Sequence, residues 1–529
     1  MVIVMAGLLV SYIPGVKKKS GIYVSYTEVK MSSKVIINTT GTTLDQVGQI
    51  VDGALFELGA DAVEAIRKAR SSIQSLLNSG KPIYGVNTGF GRLASTVIQP
   101  DELGLLQRNL LLSHACSTGE LFPPAVVRTM IFLRVVSLAR GRSGIRLETV
   151  EALIKLGNSR YLPVVPSQGS LGASGDLAPL AHMCLPILGE GECIDEDGVI
   201  VSGAEALEEI GISQVELQAK EGLALINGTQ AMTAVMCIAM LDAERLMDAA
   251  DATAAITLEA LLGTDAALDQ ELIGLRPHPG AHESAALISR HLADSEIVRS
   301  HPFCGKVQDA YSLRCTPQVH GASRDALKYI KITLERELKA VTDNPLLMED
   351  GRAVSGGNFH GQPIALAADH LKIAIAELAN ISERRTERLL NPDLSGLPAF
   401  LAASPGINSG LMIAQYTAAS LVSENKVLAH PASVDSISVS GCQEDHVSMG
   451  TTAARQASDI IRNSCHVLAT ELVAAVQAHR FLDRGRKGKG TQSTFDTVST
   501  VFPPLDADRQ FVSDIEAVAC LIREGSFSL

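Results

Sequence analysis

Leu327-Lys-Tyr-Ile330-Lys-Ile-Thr-Leu334-Glu-Arg-Glu-Leu338-Lys-Ala-Val341-Thr-Asp343-Asn-Pro345 is the stretch whose periodicity decides the fold class. Leu327, Ile330, Leu334, Leu338 and Val341 recur at spacings of three and four, the signature of one face of an α-helix. Asp343-Asn344-Pro345 is expected to stop that helix, because proline lacks an amide and disfavours helical backbone in the residue before it. The same spacing returns at Leu371, Ile375, Leu378 and Ile381, running on into Glu383–Arg388, and again at Ile461, Leu468, Leu472 and Val476. Long helices with narrow apolar faces predict a mainly α protein organised as a long central helical bundle.

Composition agrees. Of 529 residues, 46% are apolar and 19% charged, Trp is absent, and aromatics make up only 4%. Such a chain suits helix packing better than a β-sandwich. Gly222–Leu241 is apolar too, but Asn227, Thr229, Gln230 and Thr233 interrupt it, so a buried core helix is expected rather than a membrane span. Two regions follow from the organisation along the chain: 31–240, broken by Gly and Pro between Lys81 and Gly203, and the helical 241–529.

The formal net charge of −13 argues against a nucleic-acid partner. The one basic cluster, Arg484-Gly-Arg486-Lys487-Gly-Lys489, reads as a solvated loop. Nine cysteines occur singly, without a C-x-x-C pair, as expected of reduced thiols in the cytoplasm. Met1–Val16 is apolar, but Lys17-Lys18-Lys19 follows it, the reverse of signal-peptide order. Residues 1–30 are therefore expected to be a poorly ordered extension ahead of a second plausible start at Met31.

Local motifs are mostly structural. Asp197-Gly198, between Cys193-Ile194 and Val199-Ile200-Val201, predicts a hairpin turn. The acidic run there lacks calcium-loop spacing, and Gly189-Glu-Gly191 lacks the lysine of a phosphate-binding loop. His278 and His282 flank Pro279-Gly280, so they need not share a helix face, and no metal site is expected.

One segment carries chemistry: Val165-Pro-Ser-Gln-Gly-Ser-Leu-Gly-Ala173-Ser174-Gly175-Asp176-Leu-Ala-Pro-Leu-Ala-His182. Read by itself it is a glycine-punctuated loop entering a helix, with Asp176 near the N-cap. As a whole it resembles the histidine/phenylalanine/tyrosine ammonia-lyase family. Tyr84-Gly-Val-Asn-Thr-Gly-Phe-Gly91, Asn227-Gly-Thr-Gln230, Gln308-Asp-Ala-Tyr311-Ser-Leu-Arg314, Gly356-Gly-Asn358-Phe359-His360 and Gln443-Glu444-Asp445-His446 are similar to further family segments, in family order, from about Thr42 to near Ala478.

The resemblance implies a smaller mixed N-terminal region carrying the cofactor loop. It also implies that Ala173-Ser174-Gly175 cyclises autocatalytically to 4-methylidene-imidazol-5-one, so that no external cofactor is needed. Residue chemistry fits: the Gly175 nitrogen must reach the Ala173 carbonyl, which the absence of a Cβ eases. Ser174 must lose its β-hydroxyl to leave the methylidene.

Ser113-His114 resembles the selectivity pair of the histidine-specific members. Glu444 stands where phenylalanine and tyrosine lyases carry a neutral Gln. A His and a carboxylate can hydrogen-bond an imidazole but gain nothing from a phenyl ring. The implied activity is elimination of ammonia from L-histidine to give trans-urocanate, with a tyrosine or phenylalanine lyase, or an aminomutase, as the alternative.

By the same resemblance Tyr84 and Tyr311 are base candidates, each expected to need a lowered pKa. Arg314 clamps the substrate carboxylate, Asn227 and Gln308 serve the carboxylate and the cofactor carbonyl, His114 and Glu444 hold the imidazole, and Phe359 packs beside the cofactor. Whether the electrophile takes the amine or the imidazole is left open by the sequence. The family builds each site from more than one subunit, which implies a homotetramer.

Overall fold

The computed structural model describes residues 33–79, 82–89, 91–93, 95–301 and 307–528. The extension expected over 1–30, with Cys304, lies outside these residues. Long helices dominate: Gln230–Ala260, Thr316–Glu337, Gln362–Leu390, Met412–Leu428 and Gly450–Arg480. They pack on one another around a core that also takes in the shorter helices of the N-terminal part. Strands are few and short. Lys34–Ile37 pairs in parallel with Leu55–Leu58, and Leu162–Pro163, Glu192–Ile194 and Ile200–Ser202 form a three-stranded antiparallel sheet.

Helix limits follow from local chemistry. Gln362–Leu390 carries proline in its first turn, where the missing amide costs nothing, and ends before Asn391-Pro392, with Asn391 forced into extended backbone (φ −86°, ψ 113°). Leu468, Leu472 and Val476 are fully buried, each contributing about 1.5–3 kcal/mol of apolar transfer. The hairpin expected at Asp197-Gly198 is present. Gly198 takes φ +80°, and the Asp195 carboxylate accepts the amides of Asp197 and Val199 at 3.0 and 2.8 Å.

Two expectations need correction. The helix through Leu327 ends at Glu337, not at Asp343. Beyond Leu338 the chain turns inward, and Thr342, Asp343 and Asn344 are buried, where they bind the N-terminal part instead of continuing a helix. Gly222–Leu241 is not one helix: Glu221–Ile226 stops at an extended Asn227, and Gln230–Ala260 starts afresh. Gln230–Ala260 is buried almost all round, as expected of a buried core helix, its many alanines letting neighbours close in.

Charged groups inside the bundle form buried pairs. Asp251 accepts from Arg324 Nη2 and His320 Nδ1, both at 2.7 Å. Glu471 accepts from Arg385 Nε at 2.6 Å and from Thr257 Oγ1 at 2.7 Å. Among the described residues no helix is long and apolar enough to cross a membrane. His278 stands at the N-cap position of the Pro279–His291 helix without a side-chain capping bond, His282 Nδ1 bonds Gln270, and no cluster of three or more metal-ligating residues occurs among the described residues. Of the eight described cysteines, Cys184, Cys193, Cys237 and Cys465 are buried, and burial pushes the Cys184 thiol up to about 12. The basic loop links Gly450–Arg480 to Lys489–Ser499, where Arg486 pairs with Glu296 at 3.0 Å.

Candidate active site

Ala173-Ser174-Gly175 lies in the loop between the Pro166–Gln168 strand and the Leu177–Cys184 helix. Gly175 takes φ +75°, in a bridge to Gly228, and a Cβ there would run into the Gly228 backbone. Gly172 takes φ +66°, with its α-face against the Ser448 hydroxyl. Only glycine tolerates both the conformation and the contact. The Ser174 hydroxyl donates to Asn227 Oδ1 at 3.1 Å, its one side-chain bond among the described residues. A residue without Cβ at 175 and a hydroxyl held by an amide oxygen at 174 meet the requirements of an internal cyclisation with loss of water.

The loop is gripped through its neighbour. Asp176 is wholly buried, and its amide donates to the Gly228 carbonyl at 2.7 Å. Its side chain does not cap its own helix, as position alone suggests. It accepts from Met232 N at 2.8 Å, in the first turn of Gln230–Ala260, from Ser170 Oγ at 2.8 Å and from Thr451 Oγ1. Burial pushes its pKa up, and these donors pull it back.

Asn227 sits in the break between two helices. Its Nδ2 donates to the Asn344 carbonyl at 3.1 Å, and Asn344 Oδ1 accepts the Gly356 amide at 2.9 Å. The 356–360 loop, which carries half-buried Phe359, is thus tied to Asn227 through one residue. Next to Phe359, His360 stacks on His446 with ring centres 5.7 Å apart. The 443–449 segment is fastened to the cofactor loop as well: Met449 N donates to Leu171 O at 2.8 Å and Ser448 Oγ to Gly172 O at 3.2 Å.

Glu444, half-buried, closes a tight turn with Val439 through reciprocal backbone bonds, with Ser440, Gly441 and Cys442 all at positive φ. Burial pushes its carboxyl up. Tyr84 is also half-buried, and its oxygen accepts the Gly91 amide at 3.3 Å. Burial pushes the phenol up, the Gly91 bond pulls it down, and the Glu444 carboxylate pushes it up again. For Tyr84 the expected lowering is therefore reversed within one chain. His114 ends the Leu103–His114 helix, with Ser113 Oγ 3.1 Å from its Nδ1, and burial lowers its pKa, favouring neutral imidazole. The Thr118–Leu121 strand after it pairs with Pro166–Gln168 ahead of the tripeptide. The Ser117 amide also donates to His182 Nε2 at 3.1 Å.

Gln308, Tyr311 and Arg314 stand apart. Tyr311 is 71% exposed with the Arg314 guanidinium 4.6 Å over its ring, and Gln308 is exposed beside it. Among the described residues no hydrogen bond, ion pair or ring contact joins these three to the tripeptide, Asn227 or Tyr84.

Sequence reasoning missed a buried layer beneath Asn227. Arg134 Nη1 donates to the Asn227 carbonyl at 2.9 Å, and Lys220 pairs with Asp343 at 2.7 Å. The available signal was a lone arginine inside the apolar run Ile131-Phe-Leu-Arg134-Val-Val136. Asp343-Asn344, read only as a helix stop, held the rest.

The family model for aromatic amino acid lyase matches residues 42–500. A histidine ammonia-lyase of Symbiobacterium thermophilum is 52% identical over 474 residues, 89% of this chain and 93% of that protein. The solved structure of histidine ammonia-lyase from Trypanosoma cruzi is similar at TM-score 0.87 and 42% identity, over 93% of this chain and 94% of that one. Tyrosine aminomutase from Streptomyces globisporus gives TM-score 0.88 at 35% identity, over 93% and 97%.

Proposed function

The chain belongs to the aromatic amino acid lyase family, and from that premise we propose that it is a carbon–nitrogen lyase removing ammonia from L-histidine to give trans-urocanate. The observation that carries the reading is the Ser174 hydroxyl held on Asn227 Oδ1 beside a glycine that admits no Cβ. Cyclisation of Ala173-Ser174-Gly175 with loss of two waters gives 4-methylidene-imidazol-5-one, an electrophile that assists departure of a poor leaving group.

The remaining chemistry belongs to side chains. Arg314 pairs with the substrate carboxylate, as a guanidinium fork does in bidentate contacts. Asn227 and Gln308 serve that carboxylate and the carbonyl of the cyclised loop. His114 and ionised Glu444 hold the imidazole, with Glu444 accepting its N–H, and Phe359 packs alongside. The β-proton goes to a tyrosine. Tyr84 is a neutral phenol in the isolated chain because burial raises its pKa, so as a base it depends on positive charge brought close. The Tyr311–Arg314 pair is the other candidate and carries its own cation.

Tyr311 and Gln308 are exposed, so the reading includes a homotetramer in which another subunit brings this segment to each site. In that division of labour residues 31–240 supply the electrophile loop, and 241–529 the clamp and the imidazole acceptor. The setting is cytoplasmic, without membrane or nucleic-acid partners. The likeness to an aminomutase supports a second reading, in which the amine is returned to the β-carbon of an aromatic substrate. Incubating the protein with L-histidine, L-tyrosine and L-phenylalanine and following urocanate, coumarate, cinnamate and β-amino acids separates the two. Rapid urocanate formation is expected; none would sink the histidine reading.

A further inference from the structure

Beneath the Asn227–Gly228 break lies a buried cation that none of the roles above employs. Arg134, on the Pro124–Ala139 helix, has no exposed surface. Its Nη1 donates to the Asn227 carbonyl at 2.9 Å and to Gln230 Oε1 at 2.7 Å, while its Nε and Nη2 have no hydrogen-bond partner. Gln230 in turn donates through Nε2 to Thr342 Oγ1 at 2.9 Å. Asp343 lies near enough to act electrostatically on Arg134, but its hydrogen bond goes to Lys220.

The arrangement is costly as a device for stability. A guanidinium taken out of water without a hydrogen-bonded carboxylate loses more than its two bonds return, and apolar packing would serve the fold better. What the guanidinium supplies is geometric. The Asn227 carbonyl stands at the end of the Glu221–Ile226 helix, just before Gln230 starts the next one, and it is buried and in need of a donor. One nitrogen bridges the two sides of the break. Gly228 makes this possible, since a Cβ there would lie 2.5 Å from Arg134 Nη1 and 2.8 Å from Thr342 Oγ1. Asn227 is thereby held at its carbonyl by Arg134 and at its amide nitrogen by Asn344, leaving Oδ1 to receive the Ser174 hydroxyl.

We propose that Arg134 is a positioning residue for the reaction: through the Asn227 carbonyl and Gln230 it fixes the Asn227 side chain against residue 174. This rests on the lyase reading above. A purely structural arginine would alter melting temperature and the yield of folded protein, not the rate at a correctly formed site.

The test uses the full chain as parent, Arg134→Met, Arg134→Lys and Thr342→Val. Intact mass gives the fraction of chains that have lost two waters, histidine kinetics give kcat and KM per dehydrated chain, and a thermal melt gives stability. Arg134→Met is expected to lower kcat per dehydrated chain by about 10–100-fold, the range expected when a site group is misplaced from a distance. Arg134→Lys, which keeps a cation and a donor, is expected to recover part of that loss. Parent-like kcat and KM per dehydrated chain in Arg134→Met overturn the proposal, whatever its melting temperature. If Arg134→Met does not fold, Thr342→Val decides. It leaves Arg134 in place and removes the acceptor of Gln230 Nε2 at 2.9 Å, together with the longer bond from the Thr229 amide at 3.5 Å, and an unchanged kcat there overturns the proposal too. A parent giving no urocanate defeats the histidine reading alone, and Arg134 is then judged on water loss, which must fall in Arg134→Met.

Discussion

The Asp176 carboxylate accepts the backbone amide of Met232 at 2.8 Å, so the residue that follows the tripeptide caps the first turn of a different helix, Gln230–Ala260. A carboxylate is well placed at the positive end of a helix, and here it also binds Ser170 and Thr451. One buried side chain thus joins the reactive loop to the starts of two long bundle helices.

Asp176→Ala should leave the Met232 amide unpaired in the core, at a cost of about 1–3 kcal/mol. Asp176→Asn should be milder, since an amide oxygen can still accept from Met232 while its nitrogen donates to a hydroxyl turned round. Thermal melts of both variants, with intact mass to score water loss at the tripeptide, check this. Equal stability of Asp176→Ala and the parent would show that the cap contributes nothing.

Ser174→Ala should fold and assemble like the parent but release no urocanate, because no β-hydroxyl remains to be lost. Among the described residues the side chain makes a single neutral hydrogen bond, to Asn227, so the stability change should stay within about 1 kcal/mol. Intact mass and a histidine assay read the outcome, and parent-like activity would dismiss the tripeptide as the source of the electrophile.

The bundle was legible because Leu468, Leu472 and Val476 obey a helical period that burial enforces. Its corrections share one physical cause: a strong tertiary partner outbid local pattern. Asp343 pairs with Lys220 and Thr342 with Gln230, which draws the chain inward where periodicity alone extends a helix to Val341. Asn227 and Gly228 break an apolar run because Arg134 needs a backbone it can approach. Within the candidate site, Ser174, Asn227, Phe359, Glu444 and Tyr84 stand on segments that the fold ties together. Tyr311 stands apart from them, 71% exposed under the Arg314 guanidinium, and spacing along the sequence carries no sign of that separation.

Histidine affinity should depend on the ionisation of Glu444. Burial raises this carboxyl above the ordinary carboxylate range, so it is neutral at low pH and gains charge only as pH rises through that raised value. On the proposed reading the ionised form accepts the N–H of the substrate imidazole, so KM should fall as pH rises through the Glu444 transition. Burial lowers the His114 pKa, which favours its neutral imidazole. In Glu444→Gln this part of the acid limb should vanish, and KM should rise by about tenfold for the loss of a charge-assisted bond. Superimposable KM–pH profiles for the two proteins would remove Glu444 from the pocket.

Two inactive variants should restore activity to each other if each site draws on more than one chain. Tyr311 is 71% exposed and Val307, just before Gln308, is 96% exposed, as expected of a segment that completes a site elsewhere. Ser174→Ala lacks the electrophile but keeps Tyr311; Tyr311→Phe keeps the tripeptide but lacks the phenol. When both are co-expressed with different tags and the mixed assemblies are isolated, a site pairing an intact tripeptide from one subunit with an intact Tyr311 from another becomes available. Random mixing in equal amounts makes about a quarter of the sites complete, and activity should approach that fraction of the parent. If each site were built within one chain, every site would lack one of the two groups. The mixed assemblies would then be no more active than the single variants, and the shared-site tetramer would have to be abandoned.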